Sequence, residues 1–403
     1  MKKISLILFL CIIAFSILRA EDKSVIKLIP VYEKTFQDTI VDVIFDTATV
    51  SIKEAKEMGW KDDAFNEEEK RIGKGEIFYT KVVILKKGKR KLLNFFNSKG
   101  RLKKSFKTGY YAELVISQND KYIGITTPGE NESKFQMVDI YGNIIWEITG
   151  LGTGPYTPSP DGRLTIGTPS IEMETVPIEI WNKNGLMKEI ENPYGGWSGE
   201  FSNDGKYLAI AIRQSFLGKG LANGYLALFD SGMNKIWQKN DVEFVRSIEF
   251  SNTNKYIIAV CGSDTIHNLS IFTFEGEKVL EIPLPDPIGT LHYTFSADEK
   301  QVIMISDWGY VWYIDIPTKK VIWKFRKKKG GFETIQRTQN MGKILIGTYS
   351  NKIYLLDKNG KLILEKSLSQ IKFHECSTVK IASRGNKFIM TEKGNRIKSF
   401  CIK

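Results

Sequence analysis

"FSNDGKYLAI" spans residues 201–210, and the chain restates its pattern again and again. Looser versions are "VISQNDKYIGI" (115–125), "PSPDGRLTIG" (158–167), "FSNTNKYIIAV" (250–260), "FSADEKQVIMI" (295–305) and "IASRGNKFIM" (381–390). Aligned on their hydroxyl residue, they fall at Ser117, Ser159, Ser202, Ser251, Ser296, Thr338 and Ser383. The gaps are 42, 43, 49, 45, 42 and 45 residues. Each phrase reads as a hairpin. An incoming strand meets a polar turn, where Asn, Asp and Gly let the backbone reverse. A nearly all-apolar strand follows, as for a strand covered on both faces.

A second hairpin trails each first one: "QMVDIYGNIIWEI" (136–148), "IEIWNKNGLMKEI" (178–190), "LALFDSGMNKIWQK" (226–239) and "SIFTFEGEKVLEI" (270–282). Two hairpins per period give four strands, A to D. A period of about 40 to 50 residues built from short strands predicts an all-β β-propeller. Six clear blades begin near Tyr110, Gly154, Trp197, Phe244, Thr290 and Phe332, and an eroded blade precedes them over 39–107. The C-terminal segment 375–402 offers only three strands, and a spare strand lies at 25–36. That strand is expected to complete the last blade and close the ring, since an open ring leaves bare edges. The count is eight blades; seven is the alternative if the first is not a true blade.

"YVWYIDIPTKKVIWKF" (310–325) resembles the repeat of pyrroloquinoline-quinone-type propellers, and the "SPDGR" and "SNDGK" turns resemble those of WD-repeat-like and periplasmic translocation-associated propellers. The resemblance covers nearly all of the chain after residue 20. It implies the fold and leaves function open, because such propellers include enzymes, scaffolds and binding platforms.

The first residues, "MKKISLILFLCIIAFSILRAED", read as a signal peptide over 1–20. Two lysines precede an apolar run from Ile4 to Ile17, which is short for a membrane span. An uncleaved anchor is the alternative. The expected product is a single domain, 21–403, exported to the periplasm or beyond, monomeric and without a later membrane-spanning segment. Formal charge is +12, and removing Lys2, Lys3 and Arg19 takes it to +9. Lysine dominates and is diffuse, which suits a loose attraction to anionic surfaces. The Arg and aromatic clustering of a nucleic-acid reader is missing.

No catalytic constellation emerges. The three histidines, His267, His292 and His374, fall in different blades without metal-pair spacing. "GLGTG" (150–154) joins two strands and does not open a helix, so it is a poor phosphate loop. The vicinal cysteines of many quinone enzymes are absent. The reading is therefore a non-enzymatic scaffold in the cell envelope with no cofactor and no metal. A ligand sensor or quinoprotein-like enzyme at the channel mouth is the alternative.

Candidate binding residues come from what departs from the repeat. Trp146, Trp237 and Trp323 recur at one repeat position and read as wedges between blades. The B–C and D–A connections share one face, where loops vary while the blades stay rigid. Two basic runs fall there: Lys86, Lys87, Lys89, Arg90 and Lys91 in the first blade, and Arg326, Lys327, Lys328 and Lys329 leading into the seventh. Trp197 and Trp308 lie on the same face. Together these residues are the candidate contact for an unidentified protein or anionic envelope component; scattered solvated lysines are the alternative. The first blade also carries a charged helical insert over 51–74, where Ser51 and Glu54 form a capping box and Gly59 ends a short helix. It reads as a plug under the ring or as a docking element.

Cys376 is expected to open strand A and Cys401 to end strand C of the last blade. Those strands run parallel, so the two cysteines stand at opposite ends of the sheet. At about 3.3 Å per residue they lie beyond the roughly 7 Å that a disulfide spans. Titration of unfolded, unreduced protein should find Cys261, Cys376 and Cys401 all as thiols. One reactive thiol in place of three would refute this.

Overall fold

A computed structural model describes residues 28–36, 39–87, 90–97, 99, 101–130, 132–169, 176–192, 197–212, 224–240, 242, 245–262, 267–284, 291–327, 331–338, 341–348, 352–367, 379–381, 387–392 and 396–402. The signal-peptide reading, Cys376, His374, Lys89, Lys328 and Lys329 lie outside these residues. The protein is an eight-bladed propeller: eight four-stranded antiparallel sheets, each made of consecutive strands except one. The exception is blade eight. Its strands A to C are Val379–Ile381, Lys387–Glu392 and Arg396–Ile402, and its strand D is Leu28–Thr35 from the other end of the chain. Leu28 lies opposite Ile402 and Thr35 opposite Arg396, with a bulge between Pro30 and Tyr32.

The repeated phrase acts through its hydroxyl. Ser117, Ser159, Ser202, Ser251, Ser296 and Thr338 are all buried at the A–B turns of blades two to seven. Each hydroxyl oxygen accepts the N–H five residues on, from Tyr122, Leu164, Tyr207, Tyr256, Gln301 and Lys343, at 2.9–3.0 Å. The third residue after it takes a left-handed backbone. Gly162 and Gly205 do so without strain, and Asp120, Asn254, Glu299 and Met341 do so elsewhere. The turns then join hands around the ring. Asn119 Nδ2 donates to Pro160 O (2.7 Å), and Asn203 Nδ2 donates to Ser251 O (2.8 Å). The Thr253 hydroxyl (2.7 Å) and the Ser251 hydroxyl (3.0 Å) both donate to buried Glu299 of the next blade.

The outer strands carry a second device, of which the sequence reading found half. Trp146 Nε1 donates to Gly162 O (2.7 Å), Trp237 Nε1 to Phe274 O (2.8 Å) and Trp323 Nε1 to Lys358 O (3.0 Å), in each case in a turn of the following blade. In blades one and three the same register position holds a lysine. Lys104 Nζ donates to Gly142 O, and Lys188 Nζ donates to Met233 O (2.6 Å). Trp and Lys are opposites in hydropathy, yet both present an N–H at the end of a long side chain. The residue before each staple is an unpaired β-bulge: Lys103, Ile145, Met187, Ile236 and Ile322. The repeated bulge twists the outer edge and blunts it against pairing with another chain.

The insert of blade one lies between strand A (Thr39–Ser51) and strand B (Lys74–Lys87). It comprises α1 (Ile52–Glu57), a 3-10 turn (Asp62–Ala64) and α2 (Glu67–Ile72). The Ser51/Glu54 capping box is present, and Asn66 with Glu69 makes a second one that opens α2. Trp60, Ala64 and Phe65 are buried in one cluster with Phe45 and Phe78 of blade one and with Ile389 and Cys401 of blade eight. The insert thus covers the seam where first and last blades meet. Across the same seam, Lys34 Nζ sits 4.2 Å from the Phe96 ring centre. Cys261 and Cys401 are buried thiols.

The staples can be tested where they look dispensable. Lys188→Ala should destabilise the protein by about 1–2 kcal/mol, since it leaves the Met233 carbonyl without its donor. Lys183→Ala, at an exposed turn position close by, should cost less than about 0.5 kcal/mol. Lys188→Trp should restore stability. Equal melting temperatures for the two alanine variants would refute the staple.

Candidate functional site

Two faces follow from this wiring. The lower face carries the A–B and C–D turns, which are taken up by turn-to-turn bonds, staples and the seam insert. The upper face carries the B–C and D–A connections, and there the structure places the two basic runs. Their described members stand at or beside strand ends. Lys86 and Lys87 end strand B of blade one, Arg90 and Lys91 open strand C (Arg90–Phe96), and Arg326 ends strand D of blade six (Lys320–Arg326). Strand geometry holds them in place.

Nor are they a uniform solvated arc. The Arg90 guanidinium lies 4.0 Å from the centre of the Tyr110 ring, and Arg326 lies 4.4 Å from that of Tyr310. Neither arginine meets a carboxylate among the described residues. Their N–H edges remain available to a carboxylate or phosphate, while their planes are held by an aromatic ring. Lys91 is paired with Glu113 (3.3 Å), and Lys327 with Glu365 (2.8 Å), which also holds Lys352 at 3.2 Å. These pairs hold the Glu365 carboxyl below its usual range, Lys327 contributing most. Exposed Lys86 completes the first group.

Aromatic residues complete both groups. Trp308 is 55% exposed in the B–C turn of blade six, beside Tyr310, which stacks on Trp312 with ring centres 5.2 Å apart. Tyr110 and Tyr111, 55% and 62% exposed, stand in the link from blade one to blade two; the sequence reading passed over them. Trp197 stands differently from Trp308. It is partly buried and packs into the cluster between blades three and four, where a Cβ on Gly199 would stand 2.6 Å from its ring.

A different group lines the inner wall. Phe201 packs toward blade three, so Glu200, its neighbour on strand A of blade four (Trp197–Phe201), faces blade five. In blade five (strand A, Val245–Phe250), Phe250 packs toward blade four, so Glu249 faces blade six. On that same side the Ser247 and Tyr293 hydroxyls share a hydrogen bond of 3.0 Å. Other blades put Val115, Thr157, Thr294 and Gln336 at this repeat position. Loss of hydration pushes Glu200 up to about 8, and it pushes Glu249 up to about 8 with the Glu200 charge adding to it. Elsewhere Glu179, buried between blades two and three, accepts from the Tyr156 hydroxyl and from Trp181 Nε1 (2.9 Å), and so holds its place as a structural acceptor.

No protein family and no curated protein matches the chain. Solved structures do. It is similar to BamB from Moraxella catarrhalis at 13% identity and a TM-score of 0.56, covering 93% of this chain and 100% of that one. The C-terminal WD40 domain of Sif2 is similar at 12% identity and a TM-score of 0.57, covering 93% and 98%. The Dos1 propeller is similar at 13% identity and a TM-score of 0.56, covering 93% and 95%. At such identities the likeness establishes the propeller fold.

The wall carboxylates make stability depend on pH. Their folded values lie above the ordinary 4.5, so the folded state holds protons that the unfolded chain releases, and stability falls as pH rises from about 4.5 through about 8. Burial holds His292 below its usual value, which costs stability on the acid side, so the clean window is pH 6.5 to 9. One pKa unit is about 1.4 kcal/mol; after discounting for residual solvent, about 1–2 kcal/mol should disappear across it. The protein should melt higher at pH 6.5 than at pH 9, and Glu249→Gln should reduce the difference by about half, leaving the Glu200 share. An unchanged slope in that variant would count against the assignment.

Proposed function

We propose that the chain is an exported, non-catalytic scaffold that holds a protein partner against its upper face. One observation carries the reading: exposed Tyr110, Tyr111 and Trp308 stand beside arginines placed over tyrosine rings, on the face opposite the turn-to-turn bonds and staples. Tyr, Trp and Arg are the side chains that concentrate binding energy in protein interfaces. Export rests on the apolar N-terminal sequence. The propeller neighbours, a BamB and two other propellers, are consistent with a platform role and do not identify a partner. A second reading, a small ligand or proton-transfer chemistry in the channel, draws on Glu200 and Glu249 alone.

The chain from residue 21 onward, immobilised and exposed to the envelope fraction of its native cell, should retain a protein partner at low salt. A variant carrying Arg90→Gln, Tyr110→Ala, Trp308→Ala and Arg326→Gln should retain at least tenfold less, with a nearly unchanged melting temperature. Lys121→Gln, Lys206→Gln and Lys300→Gln on the lower face serve as control and should retain it fully. Equal retention by both variants would refute the upper face as the binding surface.

A further inference from the structure

Among the described residues, the non-glycine residues with positive φ form a pattern. Asp120, Met233, Asn254, Glu299, Lys319 and Met341 all sit in lower-face hairpin turns. Other blades put Gly142, Gly162, Gly205, Gly276 or Gly360 at those places. Tyr111, at φ 54°, is the one on the upper face, and no repeat rule asks for it. A bulky residue is disfavoured in this conformation relative to glycine, and such outliers cluster where a side chain is held for use.

Buried anchors flank Tyr111 on both sides. They are Thr108 and Ala112, each 2% exposed. The Thr108 N–H donates to Lys91 O (3.0 Å), and its hydroxyl oxygen accepts the Lys91 N–H (3.0 Å). Gly109 lies so close to blade two that a Cβ would stand 2.2 Å from Thr127 Cγ2. Between these anchors stand Tyr110 and Tyr111, both exposed. Arg90 lies over the Tyr110 ring, and Lys86 is exposed at the end of the adjoining strand. The stretch from Lys86 to Lys91, "KKGKRK", has five cations in six residues, and among the described residues Glu113 pairs with Lys91.

We infer that this segment is a dedicated binding platform for an acidic polypeptide segment, one that lays apolar side chains on the two tyrosines and a carboxylate against Arg90. The inference rests on the scaffold reading and narrows it to one site and one partner chemistry. Paired tyrosines and a ring-supported guanidinium suit a polypeptide with carboxylates.

The test pans a phage-displayed library of random twelve-residue peptides on the full chain from residue 21. Selected sequences should be enriched in Asp and Glu next to Leu, Phe or Tyr. They should bind Tyr111→Gly and Arg90→Gln at least tenfold more weakly, and Trp308→Ala as well as the unaltered protein. Tyr111→Gly relieves the left-handed strain, so it should melt no lower than the parent while losing the peptide. Sequences without acidic enrichment, equal binding to the Tyr111 variant, or a Tyr111→Gly protein that loses binding and stability together would each overturn the platform. So would displacement of the peptides by phosphatidylglycerol vesicles or heparin at lower charge concentration than by poly-glutamate. Peptides that depend on Trp308 and Arg326 instead would overturn it and leave the scaffold reading standing.

Discussion

The constraint on which everything else depends is closure of the ring. A blade is a sheet whose two faces must both be covered, and only a neighbour on each side covers them. Eight blades achieve this when the first and last meet, and here they meet through a strand borrowed across the whole length of the chain. Leu28–Thr35 must find Arg396–Ile402 across nearly the whole chain. Pairing of such distant segments carries a large loop-closure cost. The fold answers with more than a strand: the insert of blade one buries Trp60 and Phe65 against Ile389 and Cys401, so apolar surface reinforces the backbone ladder at the seam. The insert is thus a clasp across the closure.

Much of this was legible in the sequence, for a local reason. The A–B phrase is self-contained: a hydroxyl, a polar turn and an N–H five residues on supply one another's hydrogen bonds, so each copy looks like the others. Glu299 shows the limit. Its left-handed turn position calls for Gly or Asn by local rules, and it holds Glu because the carboxylate reaches Ser251 and Thr253 of the preceding blade. Lys104 and Lys188 were hidden likewise, because the slot selects a distant donor and not a hydropathy. The clasp was hidden because its partners lie at the far end of the chain.

The candidate surface was half legible. Charge runs stand out in a sequence, so Arg90 and Arg326 were found. What the runs do was invisible, since stacking on Tyr110 and Tyr310 depends on which strands adjoin. Tyr110 and Tyr111 were passed over, although an exposed aromatic pair between two small anchors breaks the strand pattern. Glu200 and Glu249 were readable as well: they are the charged members of a repeat position that other blades fill with Val, Thr or Gln.

The two faces therefore divide the work. The lower one spends its polar groups on joining blade to blade. The upper one keeps arginine edges and aromatic rings outward. Hydrogen–deuterium exchange of the protein, alone and with its captured partner, reads this division directly. Protection should appear in the upper-face segments 86–91, 108–113 and 307–310. Exchange should stay unchanged in the lower-face turns 119–121, 203–206 and 298–300. Protection confined to the lower-face turns or to the insert, or a chain that retains no protein at low salt, would contradict the account.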